Sequence, residues 1–317
     1  MTNFKKIGLT ALAGTLAVTT FAQAGDLSVS GTARMEYQST TTDAVDRFNL
    51  NGADSSADTF AQNATMTFSG SGEMDNGHTV SYMQALAGGE LTSQSVSLDM
   101  GDMGTISMAD LNVAGIGTIQ DIVPNGGEQP WDDLGATHGK PEDGVASPHA
   151  GNRLGYSTTV GGATVSAAMN YEFAAPTTSL AIAMNDLAEG LKIVAGIATD
   201  QASETAENDI ETIGISYTIG SVSVGAQRTD VDAQAATSDI ERTGYGISFA
   251  VNENFSIGAG SSEVEYEALA GDEKSLGFGA SYTSGGMKIG LINNDKQNLN
   301  GGTTNMKMTE LQITFAF

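Results

Sequence analysis

"ELQITFAF", residues 310–317, carries an apolar side chain at every second position: Leu311, Ile313, Phe315 and Phe317. A period of two belongs to a β-strand whose two faces meet unlike surroundings. The pattern recurs far upstream. "LSVSGTARMEYQ" (27–38) sets Leu27, Val29, Ala33, Met35 and Tyr37 against Ser28, Ser30, Thr32, Arg34, Glu36 and Gln38. "NATMTFSG" (63–70) sets Ala64, Met66 and Phe68 against Asn63, Thr65, Thr67 and Ser69, and "ATVSAAMNYEF" (163–173) repeats it. So do "TIGISYTIG" (212–220), "GYGISFAV" (244–251), "SLGFGASYT" (275–283) and "MKIGLINND" (287–295). On the second face glycine and serine outnumber leucine and valine.

Read this way, the chain divides into sixteen strands: 26–38, 58–71, 78–87, 91–100, 104–110, 153–160, 163–173, 178–187, 191–200, 210–219, 221–229, 239–251, 254–265, 273–283, 286–295 and 306–317. Tight turns such as "MDNG" (74–77), "GDMG" (101–104) and "SGG" (284–286) alternate with mostly longer links, of which 111–152 is much the longest. Short turns on one side and longer loops on the other are the connectivity of an antiparallel transmembrane β-barrel. A soluble β-sandwich also alternates, but it turns its apolar faces into one shared core and joins strands by Greek-key links. In a barrel, lipid receives the apolar face of every strand, and closure removes the open edge that 310–317 would otherwise present. The last strand is then expected to pair with a first strand beginning at Asp26, with Phe315 and Phe317 in an interfacial aromatic belt. Tyr37, Tyr171, Phe173, Phe249, Phe255 and Tyr282, near strand ends, suit the same belt.

The first 24 residues read as a secretory signal peptide, with Lys5 and Lys6, an apolar run from Ile7 to about Val18, and Ala22-Gln23-Ala24 as the cleavage site. That run is too short for a membrane-spanning helix, which needs ~20 residues. The domain that follows is 25–317. The chain has no cysteine, which excludes disulfides and thiolate metal sites. Its net charge of −25 becomes −27 without the two signal lysines, and such a chain does not favour nucleic acid. No G-x-S-x-G, P-loop or H-E-x-x-H pattern occurs, and His78, His138 and His149 are the only histidines, so neither a catalytic residue nor a cofactor is expected. The calcium-loop pattern is absent too, and His138 and His149 read as solvated loop residues. No metal site is assigned.

The signal peptide, "GDLSVSGTARMEYQ", "GDMGTISMADLNVAG" before the longest loop, "NRLGYSTTVGGATVSAAMNYEF" and the terminal Phe317 together resemble a general bacterial outer-membrane porin of the alphaproteobacterial type. The resemblance spans 25–317. It implies an all-β fold, a sixteen-stranded trimeric barrel with a third loop folded into the pore, and a C-terminal aromatic, here Phe315 and Phe317, read by the barrel-insertion machinery. One stretch, "SLAIAMNDLAEGLKIVAGIATD" (179–200), is unusually apolar on both faces. On the resemblance, the early part of 111–152 enters the lumen, which would place Asp121 and Glu128 at a constriction, together with Asp132 and Asp133. Carboxylates in a narrow passage concentrate cations and repel anions. Parity puts Arg34, Arg153, Lys192, Arg242 and Lys288 on lumen-facing sides, without showing that they share one height.

The expected function is a passive, water-filled outer-membrane channel for ions and small hydrophilic solutes, cation-preferring, acting as a homotrimer in outer-membrane lipid. Alternatives are a non-conducting surface barrel acting as a structural or adhesive protein through its extracellular loops, and a soluble secreted β-rich binding protein.

Overall fold

A strand in hydrocarbon must satisfy every backbone N–H and C=O by pairing, and only a closed sheet does so without an edge. The computed structural model describes residues 27–44, 55–110, 113–129, 131, 153–170, 177–185, 187–203, 206–234, 239–269 and 271–317. The signal peptide expected at 1–24, Asp132, Asp133, Tyr171 and Phe173 lie outside them.

The strands are β1 (Leu27–Ala44), β2 (Ser55–Glu73), β3 (Thr79–Ala87), β4 (Glu90–Asp99), β5 (Thr105–Ala109), β6 (Arg153–Val160), β7 (Ala163–Asn170), β8 (Thr177–Met184), β9 (Leu191–Ser203), β10 (Ala206–Ile219), β11 (Val222–Ala233), β12 (Ile240–Ala250), β13 (Phe255–Tyr266), β14 (Glu273–Ser284), β15 (Met287–Gln297) and β16 (Thr304–Ala316). Each pairs with its neighbours in sequence, and β16 returns to β1, closing an antiparallel barrel of sixteen strands. All sixteen fall on the segments that the alternation picks out. The main departures are longer upper ends, as in β1, β10 and β11, where polar residues continue the ladder beyond the apolar stretch.

Closure runs from Ala44↔Thr304 to Thr32↔Ala316. One further pair extends it, with Gly31 N donating to Phe317 O (2.7 Å) and Phe317 N donating to Gly31 O (3.0 Å). Pairing with β16 therefore starts at Gly31, and Leu27–Ser30 pair with β2 alone.

The outer face is built from the apolar parity. Leu180, Ile197, Ile213, Ile215, Val224, Ile247, Phe278, Leu291 and Leu311 all stand exposed on it. Counted from the short turns, three to four outward apolar residues per strand precede a row of charge on β10–β16. Glu211, Arg228, Glu241, Glu263, Lys274, Asp295 and Lys307 form that row. Several are paired, as Arg228 with Glu241 (2.7 Å) and Lys307 with Asp295 (3.2 Å). A charge at mid-bilayer costs ~2–4 kcal/mol, falling to ~0–1 near the interface. The row therefore marks where hydrocarbon ends.

Candidate functional site

After β5 the chain turns into the barrel. The parity opposite the outward residues belongs to Gly155, Gly196, Gly214, Gly225, Gly246, Gly258 and Gly279, one from each of seven strands between β6 and β14. All seven lie under the segment 114–126. A Cβ on Gly196 would sit 2.8 Å from Ile116 Cγ1, on Gly225 2.7 Å from Pro124 Cδ, and on Gly258 2.7 Å from the carbonyl carbon of Asn125. A segment that touches the inward parity of this many consecutive strands of a closed barrel runs inside it, along the wall. The recurrence of glycine on the second face has its reason here. The glycines form a track on which the loop backbone lies directly against the strand backbone.

Polar contacts hold the loop along the same track. Gly115 N donates to Ser166 Oγ (2.8 Å), and Ile116 N to Ser179 Oγ (3.2 Å). Gln227 Nε2 donates to Ile119 O (3.3 Å), Asn294 Nδ2 to Gln129 O (3.4 Å), and Gln312 Nε2 to Glu128 Oε2 (3.0 Å). Between them, Ile116, Ile119 and Ile122 pack on Ala181, Val194, Ala198 and Ile210 of the wall. The inner face of a barrel is aqueous, so the hydrophobic effect operates there as it does in a soluble core. This explains the stretch 179–200, which is apolar on both faces: lipid meets one and the loop covers the other.

The wall has two arcs. From β6 to β15 its inner face is largely covered. On β1 and β2, inward Thr32, Ala61 and Asn63 remain exposed, as does Asp121 on the loop. The open side of the lumen is thus lined by hydroxyls, amides and small residues together with the Arg34–Glu36 ion pair.

Asp121 is exposed and accepts a hydrogen bond from Gln129 Nε2 (2.6 Å). Glu128 is half-buried and bonded to Gln312 on β16. Trp131, 1% exposed, anchors the loop: its indole N–H donates to Gln129 Oε1 (2.9 Å), and its carbonyl accepts from Lys296 Nζ (3.4 Å). The five basic residues all take the inward parity, but they do not gather at one height. Lys192 and Lys288 are each the second residue after a short turn, whereas Arg153 and Arg242 lie at or near the long-loop ends of β6 and β12. Arg34 and Lys288 both register with Thr314, across the barrel closure. Arg34 is also bound to Glu36 (2.9 Å), which offsets its charge locally.

Sequence reading overlooked Lys296 and Glu273, a buried pair beneath Trp131. The alternation of "MKIGLINND" ends at Asp295, one residue short of the lysine. Extending its parity by one step places Lys296 inward.

A family model described as Gram-negative porin matches residues 8–289. Three of the solved structures that share the fold are these. One is a porin refined at 1.8 Å resolution, with 19% identity, a TM-score of 0.66, and 92% of this chain and 100% of that one covered. Another is an anion-selective porin from Comamonas acidovorans, with 14% identity, a TM-score of 0.66 and the same coverage. The third is a loop-deletion variant of OmpT, an outer membrane protein of Vibrio cholerae, with 13% identity, a TM-score of 0.66, and 93% and 100% covered. No curated protein matches the chain.

Proposed function

Because this chain belongs to the Gram-negative porin family, a family of passive outer-membrane channels, we propose that its own channel is cation-preferring and that the loop acids Asp121 and Glu128 set the preference. The observation that carries this is the exposure of Asp121 on the lumen loop, facing a lumen whose open wall is hydroxyl- and amide-lined. Arg34, the cation on that open arc, is paired with Glu36. Lys192 and Lys288 sit beside the short turns. Small hydrophilic solutes would cross without a binding step, since among the described residues the exposed inward ones offer hydrogen bonds and no aromatic stacking surface.

The size of the effect follows from Coulomb's law. A unit charge ~10 Å from a passing ion in water contributes about 0.4 kcal/mol, a factor of about two in local cation concentration. One carboxylate biases the current modestly, and a strong preference needs several acting together. Asp132 and Asp133, close along the chain, would add to the same field.

The reading extends to assembly. Residues 1–24 would direct export and be removed. Phe315 and Phe317, both outward and exposed, would be read by the insertion machinery, and three copies would form the working unit.

The test is single-channel recording of the refolded, detergent-purified protein in a planar bilayer under a KCl gradient. Conductance in steps of three, with a reversal potential on the cation side, is the expected result. Asp121→Asn should move the reversal potential toward zero, by about a twofold change in permeability ratio. An anion-side potential in the native protein would overturn the selectivity.

A further inference from the structure

The pair Lys296–Glu273 is unusual for an aqueous barrel. A lysine on a lumen-facing strand position can stay hydrated simply by extending into the pore. Here it does not: Lys296 is 0% and Glu273 1% exposed, with Nζ 3.2 Å from Glu273 Oε1. Burying both charges costs desolvation that an exposed pair avoids, so the contacts formed in exchange show what the pair does. On one side Glu273 Oε2 accepts from Asn300 N (2.7 Å) at the β15–β16 link. On the other, Lys296 Nζ reaches the carbonyl of Trp131 in the lumen loop.

Two residues back along the same strand face, Asn294 donates to the carbonyl of Gln129. Successive inward residues of a strand are ~6.6 Å apart, which is also the spacing of alternate carbonyls in an extended chain. Gln129 and Trp131 therefore lie alongside β15, their carbonyls gripped by a side-chain amide and an ammonium. The Gln129 side chain links this grip to the pore. Its Oε1 accepts from the Trp131 indole, and its Nε2 donates to Asp121 Oδ1. A continuous set of contacts thus joins the buried ion pair to an exposed carboxylate on the opposite part of the loop.

We infer that the buried Lys296–Glu273 pair anchors the lumen loop, and that Gln129 carries this anchorage to Asp121, which makes Lys296 and Gln129 positioning residues for the pore's ion preference. The second half of the inference rests on the channel reading above, whereas the first stands on the contacts alone. The exposed charge belongs to Asp121, and the buried residues act only by fixing where it sits. Replacing Lys296 alone would leave Glu273 as an unpaired buried charge, so the informative variant removes both charges at nearly constant volume.

Two readouts on the full chain, refolded in lipid, separate the halves. In Lys296→Met/Glu273→Gln, amides of 113–131 should exchange with solvent at least about tenfold faster than in the native protein, while amides of the barrel strands keep their protection. Lys296→Arg, which keeps the charge, should retain slow exchange. In planar bilayers the double variant and Gln129→Ala should both shift the reversal potential in the direction of Asp121→Asn, and the double variant should also add open-channel noise. Unchanged exchange in the double variant overturns the anchor. Faster exchange with an unchanged reversal potential overturns the link to Asp121. A native protein that folds and exchanges as expected yet passes no current would sink the channel reading while leaving the anchor standing.

Discussion

Whether a side chain fits on the inner wall of this barrel depends on whether the loop passes over that position. A Cβ on Gly258 would meet backbone atoms of Asn125 and Gly126, which cannot rotate aside. On Gly290, also inward, the nearest atoms would be 3.7 Å and 3.9 Å away, at Ile292 Cδ1 and Gln312 Cβ, which is ordinary contact. Gly258→Val should therefore push the loop off the wall at a cost of ~1–3 kcal/mol. Gly290→Ala should stay within ~0.5 kcal/mol. Urea titration in lipid vesicles, with hydrogen exchange on 113–129, distinguishes the two, and equal effects would contradict a loop seated on glycines. The same dependence governs charge. Asp121 faces water because the loop turns it away from the wall, and Lys296, three residues past the end of "IGLIN", is buried because the loop lies over it.

Each strand of β10–β16 carries an apolar band and a charged upper end on a single outward face, and the boundary lies at a similar distance from the short turns in all of them. Ile215→Lys, within the band, should cost ~2–4 kcal/mol, whereas Thr243→Lys, beside Glu241 and Glu263 at the boundary, should cost ~0–1 kcal/mol. Unfolding midpoints in vesicles read the difference. On the inner side of β8 and β9 the reasoning is that of a soluble core, because the loop's isoleucines leave lumen water when they dock. Ile119→Ala should weaken docking by ~2–5 kcal/mol, seen as faster exchange in 113–129 with the barrel strands unaffected.

At the scale of the whole molecule, the decisive contact joins β1 to β16, strands at opposite ends of the sequence. Contacts this distant require the chain to lose loop entropy before the pairing returns any stability, so closure is a slow step. Phe317 takes part twice, by its backbone pair with Gly31 and by its ring, which lies where a Gly31 side chain would project, 2.6 Å from Phe317 Cε2. Gly31→Val should lower the rate and yield of folding into vesicles, measured by the tryptophan signal and by heat-dependent mobility on gels. A variant that closes as fast as the native chain would show that the ring contact forms only after closure.

The sequence by itself determined the sixteen strands, their order, and which face of each meets lipid. All of these follow from period-two alternation and turn chemistry, which act over a few residues at a time. It also held the second-face glycines and the doubly apolar stretch 179–200, but without their cause, because each is a surface for a segment tens of residues away. Only the tertiary structure decided that the loop lies flat along the wall from β6 to β15, that Asp121 stays exposed while Lys296 is buried, and that Arg34, Arg153, Lys192, Arg242 and Lys288 do not gather at one height. Height and cover depend on the register of every strand around a closed ring and on the path of one loop through it, and no local pattern encodes either.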